Sequence, residues 1–475
     1  MDLEMINTNW GDRISYHSFF SRWINIKNAK NRVEGELNEW LKELWEALSK
    51  NDFLPKNIQQ IPNEVLLPSK YLITIRKDSN NTIHKDSNNT VHKDINNTVH
   101  KDSNNTIIEN KSGFVLGDSQ SSWIQAKILE NKRLTSPDWE QDVREICFEG
   151  NNDLKYEVGD VVQVLPQNLN GSATKILSRL NFDPELVVEK IELRDKDEQD
   201  VDNSQYCDIP FPIRLHDLLH NYFDLSRAPR RYFFEILSHF ATAEHEVEKL
   251  KFFSSSEGQE ELNWYSIRER RPPLEVLEEF HSIKNIELEY LFDLLPRINA
   301  RSFSISSSFC YNPKRISITV AVVKYKTPLK RTRFGLCSNY LADLNPDSLV
   351  TIKIRNLKSQ LNDILKQQQY PLILIGPGTG CALFHALVEE RMCKKQTQPS
   401  LHFFFGCRLK EKDCLYEMFW MNALSQQILT FFEIAFSRQN GPTNPKVYVQ
   451  HLIAKHSNQI WRLINEQSAA IVVSG

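Results

Sequence analysis

The chain has 475 residues, 40% hydrophobic and 25% charged, with a formal net charge of −3. That length exceeds a single small core and points to two or three domains, while the near-neutral balance excludes a general field for polyanions, so no nucleic-acid partner is expected. No window approaches the ~18 uninterrupted apolar residues of a membrane span, and the acidic opening Met1, Asp2, Leu3, Glu4 precedes no apolar leader, so the expectation is a cytoplasmic protein with no membrane contact.

In chain order, 36–48 predicts an amphipathic helix with Leu37, Trp40, Leu41, Leu44, Trp45 and Leu48 on one face. Pro55 and Pro62 then interrupt the pattern. Residues 77–108 repeat with a period of eight, beginning at Lys77, Lys85, Lys93 and Lys101. This Asn-rich stretch is too polar to offset chain entropy by burial and predicts a disordered linker. Its regular His84, His92 and His100 are read as incidental, and no metal site is expected. From about 122 the alternation is that of strands, at 123–129, 142–148 and 156–165. Residues 170–295 read mostly as helices, among them 173–180, 214–222 and 229–243, the last with Pro229 in its first turn. Strands return at 301–306 and 316–325. The last third alternates: strand 371–376, helix 381–391, strand 401–407, helix 414–426, strand 428–436, helix 450–466, strand 469–474. Such an order predicts a parallel sheet. Eight cysteines without a CxxC pair argue against a disulfide framework or zinc ribbon and for a reducing compartment.

Four clusters carry candidate chemistry. The apolar run from Pro371 stops at Gly376, Pro377, Gly378, Thr379 and Gly380 and opens a helix. Glycines there admit a dinucleotide's diphosphate to the backbone, and a helix N-terminus offers free N–H groups. Arg301, Ser302, Phe303 and Ser304 alternate an arginine, hydroxyls and a ring along one strand, a set that suits a flavin and equally a half-buried strand with an incidental charge. Gly335, Leu336, Cys337 and Ser338 precede a helix and suit a second diphosphate, or an ordinary cap. Phe405, Gly406, Cys407, Arg408 and Ser437, Arg438 fall at strand ends of the α/β region, with Lys446, Tyr448 and Gln450 just beyond. A serine, an arginine and a lysine meeting there suit the 2′-phosphate of NADPH, and ordinary surface charge is the alternative.

In order and spacing these clusters resemble the diflavin reductases, which are built on the ferredoxin–NADP reductase fold. The resemblance covers about 120–475, with weaker likeness at 34–75, and is greatest to the cytosolic branch that supplies electrons for iron–sulfur protein assembly. It implies an antiparallel β-barrel FAD domain with a helical insert, followed by a doubly wound, NADP-binding α/β domain. The implied bounds are 1–70 for the tail of a flavodoxin-like domain and linker, 77–108 for the repeat, 119–350 for the FAD domain with its insert at about 170–295, and 366–475 for the NADPH domain. It implies that Arg301, Ser302, Phe303 and Ser304 line FAD, with Ser304 catalytic beside N5. Gly335, Leu336, Cys337 and Ser338 would hold the FAD diphosphate, and Gly378, Thr379 and Gly380 that of NADPH. Ser437, Arg438, Lys446, Tyr448 and Gln450 would hold the 2′-phosphoadenosine. The implied reaction is hydride transfer from NADPH to FAD, with electrons passing through FMN to an iron–sulfur acceptor resembling anamorsin. Three departures stand out. Only the last helix of an FMN domain has a counterpart in the first 50 residues, so FMN binding is doubtful. The chain stops at Gly475, where family members continue. His385 stands where the family carries an arginine, which implies one weaker diphosphate contact. The alternative expectation is a truncated, non-catalytic interaction protein.

Overall fold

The computed structural model describes residues 65–76, 123–150, 154–169, 171–194, 209–357, 369–394, 399–439 and 445–475, with Leu44, Ile364 and Leu365. The helix expected over 36–48, Leu44 apart, and the repeat at 77–108 lie outside them.

Among the described residues eleven strands precede the α/β region: β1 Tyr71–Ile75, β2 Ile124–Arg133, β3 Val143–Glu149, β4 Val161–Val164, β5 Val187–Leu193, β6 Ile213–Arg214, β7 Arg301–Ser304, β8 Arg315–Ala321, β9 Lys324–Lys326, β10 Thr332–Phe334 and β11 Leu349–Arg355. Six form an antiparallel sheet in the order β7-β4-β11-β2-β3-β8. Period-two burial builds its core: Ala126 and Ile128, Ile146 and Phe148, Val162 and Val164, Ile316, Ile318 and Val320, Val350 and Ile352 all point inward. Helix α1, Leu336–Asp343, adds Cys337 and Leu341 from one face. The edge strands meet through a single bridge, Ile305 to Ile318. The run expected at 316–325 divides, because β8 ends at Ala321 and β9 begins at Lys324.

The region 170–295 is mostly helical, as expected, and adds two strands. Helices dominate it, including Ser172–Leu180, Leu215–Tyr222, Arg231–Ser238, Glu244–Ser254, Pro273–Glu279 and Leu288–Leu294. It also contains β5 and β6, and β5 pairs antiparallel with the distant β1. Leu66, Tyr71 and Ile73 pack on the helical core, and the Tyr290 hydroxyl donates to the Leu67 carbonyl at 2.8 Å. Pro229 lies ahead of its helix rather than in the first turn, since Arg230 is the N-cap.

The α/β region holds β12 Leu372–Pro377, α2 Cys381–Lys394, β13 Leu401–Cys407, α3 Glu417–Ser425, β14 Phe431–Phe436, α4 Val449–Lys455, α5 Ser457–Gln467 and β15 Ala470–Val473. Its sheet is parallel, in the order β14-β13-β12-β15. Successive residues point to opposite faces and both faces are covered. Leu372, Leu374, Phe403 and Phe405 pack with α2 and α3, whereas Ile373 and Phe404 pack with α4 and α5. The single helix expected over 450–466 is two, with His456 between them.

Cys310 and Cys393 form a disulfide across 83 residues of sequence, one cross-link where the sequence argued against a disulfide framework. CxxC spacing is blind to a pair brought together by tertiary packing.

Candidate functional site

A cleft of about 760 Å³ opens where β7, the start of α1 and the helical insert meet. Arg301, Ser302, Phe303, Gly335, Leu336, Cys337 and Ser338 all line it, so the structure unites the two clusters that the sequence separates by 30 residues. Ser304 is exposed at the end of β7 and is not part of the lining. The Gly335 turn is shaped by its neighbours. The Gly335 N–H donates to the Val323 carbonyl at 2.9 Å, and the Ser338 hydroxyl accepts the Val323 N–H at 3.0 Å. A Cβ at 335 would lie 2.8 Å from the Val323 Cβ. Ser338 thus holds the turn, and the first-turn amides of α1, which have no intrahelical partners, point the helix N-terminus at the cleft. Burial pushes the Cys337 thiol up to about 12, so it packs as a neutral group.

Sequence reasoning assigned no site role to four further arginines of this cleft, Arg227, Arg230, Arg270 and Arg333, of which Arg333 is paired with Glu275. Arg227, Arg230 and Arg270 make, with Arg301, four guanidiniums that form no ion pair among the described residues. The acidic lining residue Asp224 is engaged by Ser226, whose amide and hydroxyl both donate to it. Unneutralised cations at one cleft beside a helix N-terminus fit a dianionic diphosphate. A signal for Arg270 exists only in the backbone: its φ is 47°, the left-handed region that non-glycine residues rarely occupy.

The second glycine cluster sits at the carboxyl end of β12. Gly378, Thr379 and Gly380 form one 3₁₀ turn leading into α2. Gly378 has φ 56° with open space where a Cβ would stand, so backbone is presented to the exterior. Gly380 is buried against the Ser474 carbonyl, where a Cβ would approach to 2.0 Å.

The third group gathers at the ends of β13 and β14. Ser437 and Arg438 follow β14, and their amides donate to the Cys407 and Arg408 carbonyls at 3.0 and 2.8 Å. Gly406 lets α4 sit down there, because a side chain would meet the Val449 Cγ2 at 2.7 Å. Tyr448 is the N-cap of α4 and Gln450 lies in its first turn, so both fall beside the same strand end, with exposed Lys446 just before them. Glu140, unnoticed in the sequence, also reaches this point, 2.6 Å from the Arg408 guanidinium and 3.1 Å from that of Arg438.

His385 is not directed at a diphosphate. It is buried, its ring lies 3.9 Å from that of Phe419, and its Nδ1 is 2.7 Å from the Ser306 carbonyl oxygen. One turn further along α2, Glu389 accepts the Ser308 N–H at 2.8 Å. Burial holds His385 down at about 4 and pushes Glu389 up to about 7, with Arg315 opposing and Glu145 adding to the latter shift. The folded state therefore holds the Glu389 proton more tightly than an unfolded carboxyl of 4.5 does. Its contribution to stability is complete below that unfolded value and is lost as pH rises through about 7. Glu389→Gln, which keeps the acceptor for Ser308, is expected to make the slope of Tm against pH more positive across this window, where His385 contributes in the opposite sense, and to raise Tm above it. Thermal melts of both proteins over the same pH series check this, and parallel pH curves would refute it.

The folds and the clefts together define an oxidoreductase that binds FAD and a nicotinamide dinucleotide. Residues 117–340 match the family described as an FAD binding domain, and 374–475 match the oxidoreductase NAD-binding domain. Among relatives named NADPH-dependent diflavin oxidoreductase 1, that of Dictyostelium discoideum is 40% identical over 371 residues, 75% of this chain and 57% of the relative. The Arabidopsis thaliana relative is 36% identical over 93% of this chain and 70% of its own length, and that of Mus musculus is 33% identical over 93% and 69%. The chain belongs to the NADPH-dependent diflavin oxidoreductase family, and its cofactors are FAD and NADPH. It spans 57–70% of the length of these relatives. No helix among the described residues is long and apolar enough to cross a membrane.

Proposed function

We propose that this chain accepts hydride from NADPH onto FAD and that, in the cytoplasm, the electrons leave through FMN to an iron–sulfur protein resembling anamorsin. FAD and NADPH supply the redox chemistry when bound, and the chain supplies anchorage and alignment. In this reading Arg301, with Arg227, Arg230 and Arg270, neutralises the FAD diphosphate, whose oxygens also meet the α1 amides at Leu336, Cys337 and Ser338. Phe303 covers one face of the ring system, and Ser304, at the strand end, offers its hydroxyl to the reacting edge. Gly378, Thr379 and Gly380 accept the NADPH diphosphate, while Ser437, Arg438, Lys446 and Gln450 hold the 2′-phosphate and Tyr448 stacks on adenine. The observation that carries the reading is the convergence on one cleft of four guanidiniums with no ion pair among the described residues.

The proposed domain bounds are 1–70, 77–108, 119–350 and 366–475, with the six-stranded sheet rolled into a barrel through the Ile305–Ile318 bridge. The β1–β5 pairing adds 71–75 to the insert's own packing unit.

The direct test is an anaerobic titration of the purified, FAD-loaded chain with NADPH. Loss of the flavin's visible absorbance is expected, and an unchanged spectrum would defeat the proposal. A paired Arg438→Ala, Lys446→Ala variant is expected to lose most of its preference for NADPH over NADH, roughly 10- to 100-fold for two charge-assisted contacts. An unaltered ratio of the two coenzymes' kcat/KM would remove these residues from the 2′-phosphate pocket.

A further inference from the structure

Glu140 lies in a connection between two strands of the antiparallel sheet, yet its carboxylate reaches Arg408 and Arg438 of the α/β region. It lies in the turn 134–142 between β2 and β3, which is firmly built. The Leu134 amide donates to the Val143 carbonyl at 2.7 Å, the Thr135 hydroxyl to the Gln141 carbonyl at 2.8 Å, and the Arg133 guanidinium to the Trp139 carbonyl at 2.8 Å. The turn is also tied to the other domain. The Ser136 amide donates to the Lys412 carbonyl at 2.8 Å, and the Lys412 ammonium pairs with Asp138. Glu140 is thereby delivered to Arg408 and Arg438, whose backbones are joined at 2.8 Å, and a single carboxylate oxygen, Oε1, meets both guanidiniums.

We infer that Glu140 is a specificity-determining residue that occupies the place of the coenzyme's 2′-phosphate and must be expelled for that phosphate to bind. The inference rests on the reading of Arg438 as part of the 2′-phosphate pocket. A carboxylate offers one negative charge to the two guanidiniums, whereas a 2′-phosphate offers up to two and three acceptor oxygens, so the phosphate wins the exchange. The exchange is inexpensive because all three side chains are substantially exposed, at 36%, 47% and 61%. An adenosine without the phosphate has nothing to put in the carboxylate's place and leaves it where it is. Glu140 therefore subtracts affinity from phosphorylated coenzymes alone. By reciprocity, a bound 2′-phosphate loosens the turn's hold on the α/β region, leaving the Lys412 contacts as its tether.

The test uses the full chain and two nucleotide probes, 2′,5′-ADP and 5′-ADP, titrated by calorimetry into the wild type, Glu140→Gln and Arg438→Ala. Glu140→Gln is expected to tighten 2′,5′-ADP about threefold to tenfold, the size of losing one or two exposed ion pairs, and to leave 5′-ADP unchanged. Hydrogen exchange in 138–142 is expected to quicken when wild type binds 2′,5′-ADP. If Arg438→Ala weakens 2′,5′-ADP while Glu140→Gln does not tighten it, the assignment of Glu140 is overturned and the pocket stands. If Arg438→Ala leaves 2′,5′-ADP unchanged, the pocket reading fails and takes the inference with it.

Discussion

Arg301→Ala is expected to weaken FAD binding by about two orders of magnitude while leaving the stability of the flavin-free chain nearly untouched. The two halves of this result have separate causes. Arg301 forms no ion pair among the described residues, so its removal orphans no carboxylate of the protein. An exposed side chain of that kind typically changes folding by less than ~0.5 kcal/mol. A diphosphate enclosed in the cleft, in contrast, would lose one of the charges that compensate its desolvation. Truncating one member of such a pair costs about 2–5 kcal/mol, and ~2.7 kcal/mol is a hundredfold in affinity. Titration of the apoprotein with FAD, followed by flavin fluorescence, gives the affinity, and melts without flavin give the stability. Full retention of FAD by the variant would remove Arg301 from the site. Lost stability without flavin would make it a structural residue.

Gly380→Ala is expected to damage the α/β region itself. The added Cβ would stand 2.0 Å from the Ser474 carbonyl oxygen, 2.6 Å from its carbon and 2.8 Å from the Gly475 Cα, all of them backbone. No rotamer relieves such a contact; either β15 moves away from the end of β12 or the 3₁₀ turn is displaced. Overpacking of this kind costs about 1–3 kcal/mol, or a Tm lower by ~5–10 °C if the region unfolds as a unit. Moving the turn also moves the groups assigned to the NADPH diphosphate. Gly378→Ala is the informative companion, because its Cβ would meet nothing within 4 Å and its penalty is confined to the backbone at φ 56°. A Tm for Gly380→Ala within 1–2 °C of wild type would show that the strand end yields easily, against the overpacking argument.

Local periodicity made the α/β region readable. The strand expected at 401–407 is β13, and the helix opening at 381 is α2, because a parallel sheet covered on both faces leaves unbroken apolar runs. The glycine turns were legible for a related reason: close backbone approach excludes other residues at Gly335 and Gly380. Whatever depends on contacts across long separations was not legible. The partner of β1 is β5, more than 110 residues on, and alternation within Tyr71–Ile75 carries no information about it. Arg227, Arg230 and Arg270 look like ordinary charges until the fold turns them toward Arg301. Glu140 reads as one acid in a polar turn, and its meaning comes from Arg408 and Arg438, both more than 260 positions away. Cys310 and Cys393 share that fate.

Three partners on α2, His385, Glu389 and Cys393, match three on the segment after β7, Ser306, Ser308 and Cys310, in the same direction. Eight helical residues advance ~12 Å, and the facing segment, which bends at Ser307 and turns at Phe309 and Cys310, presents its three groups along that length. His385, Glu389 and Cys393 are spaced by four along α2 and so share one helix face, which makes the three contacts one seam. Sliding one half of the molecule along the other would put every rung out of register at once. Opening between the halves is therefore left to rotation about this seam, and that rotation must part the Ser136–Lys412 and Asp138–Lys412 contacts.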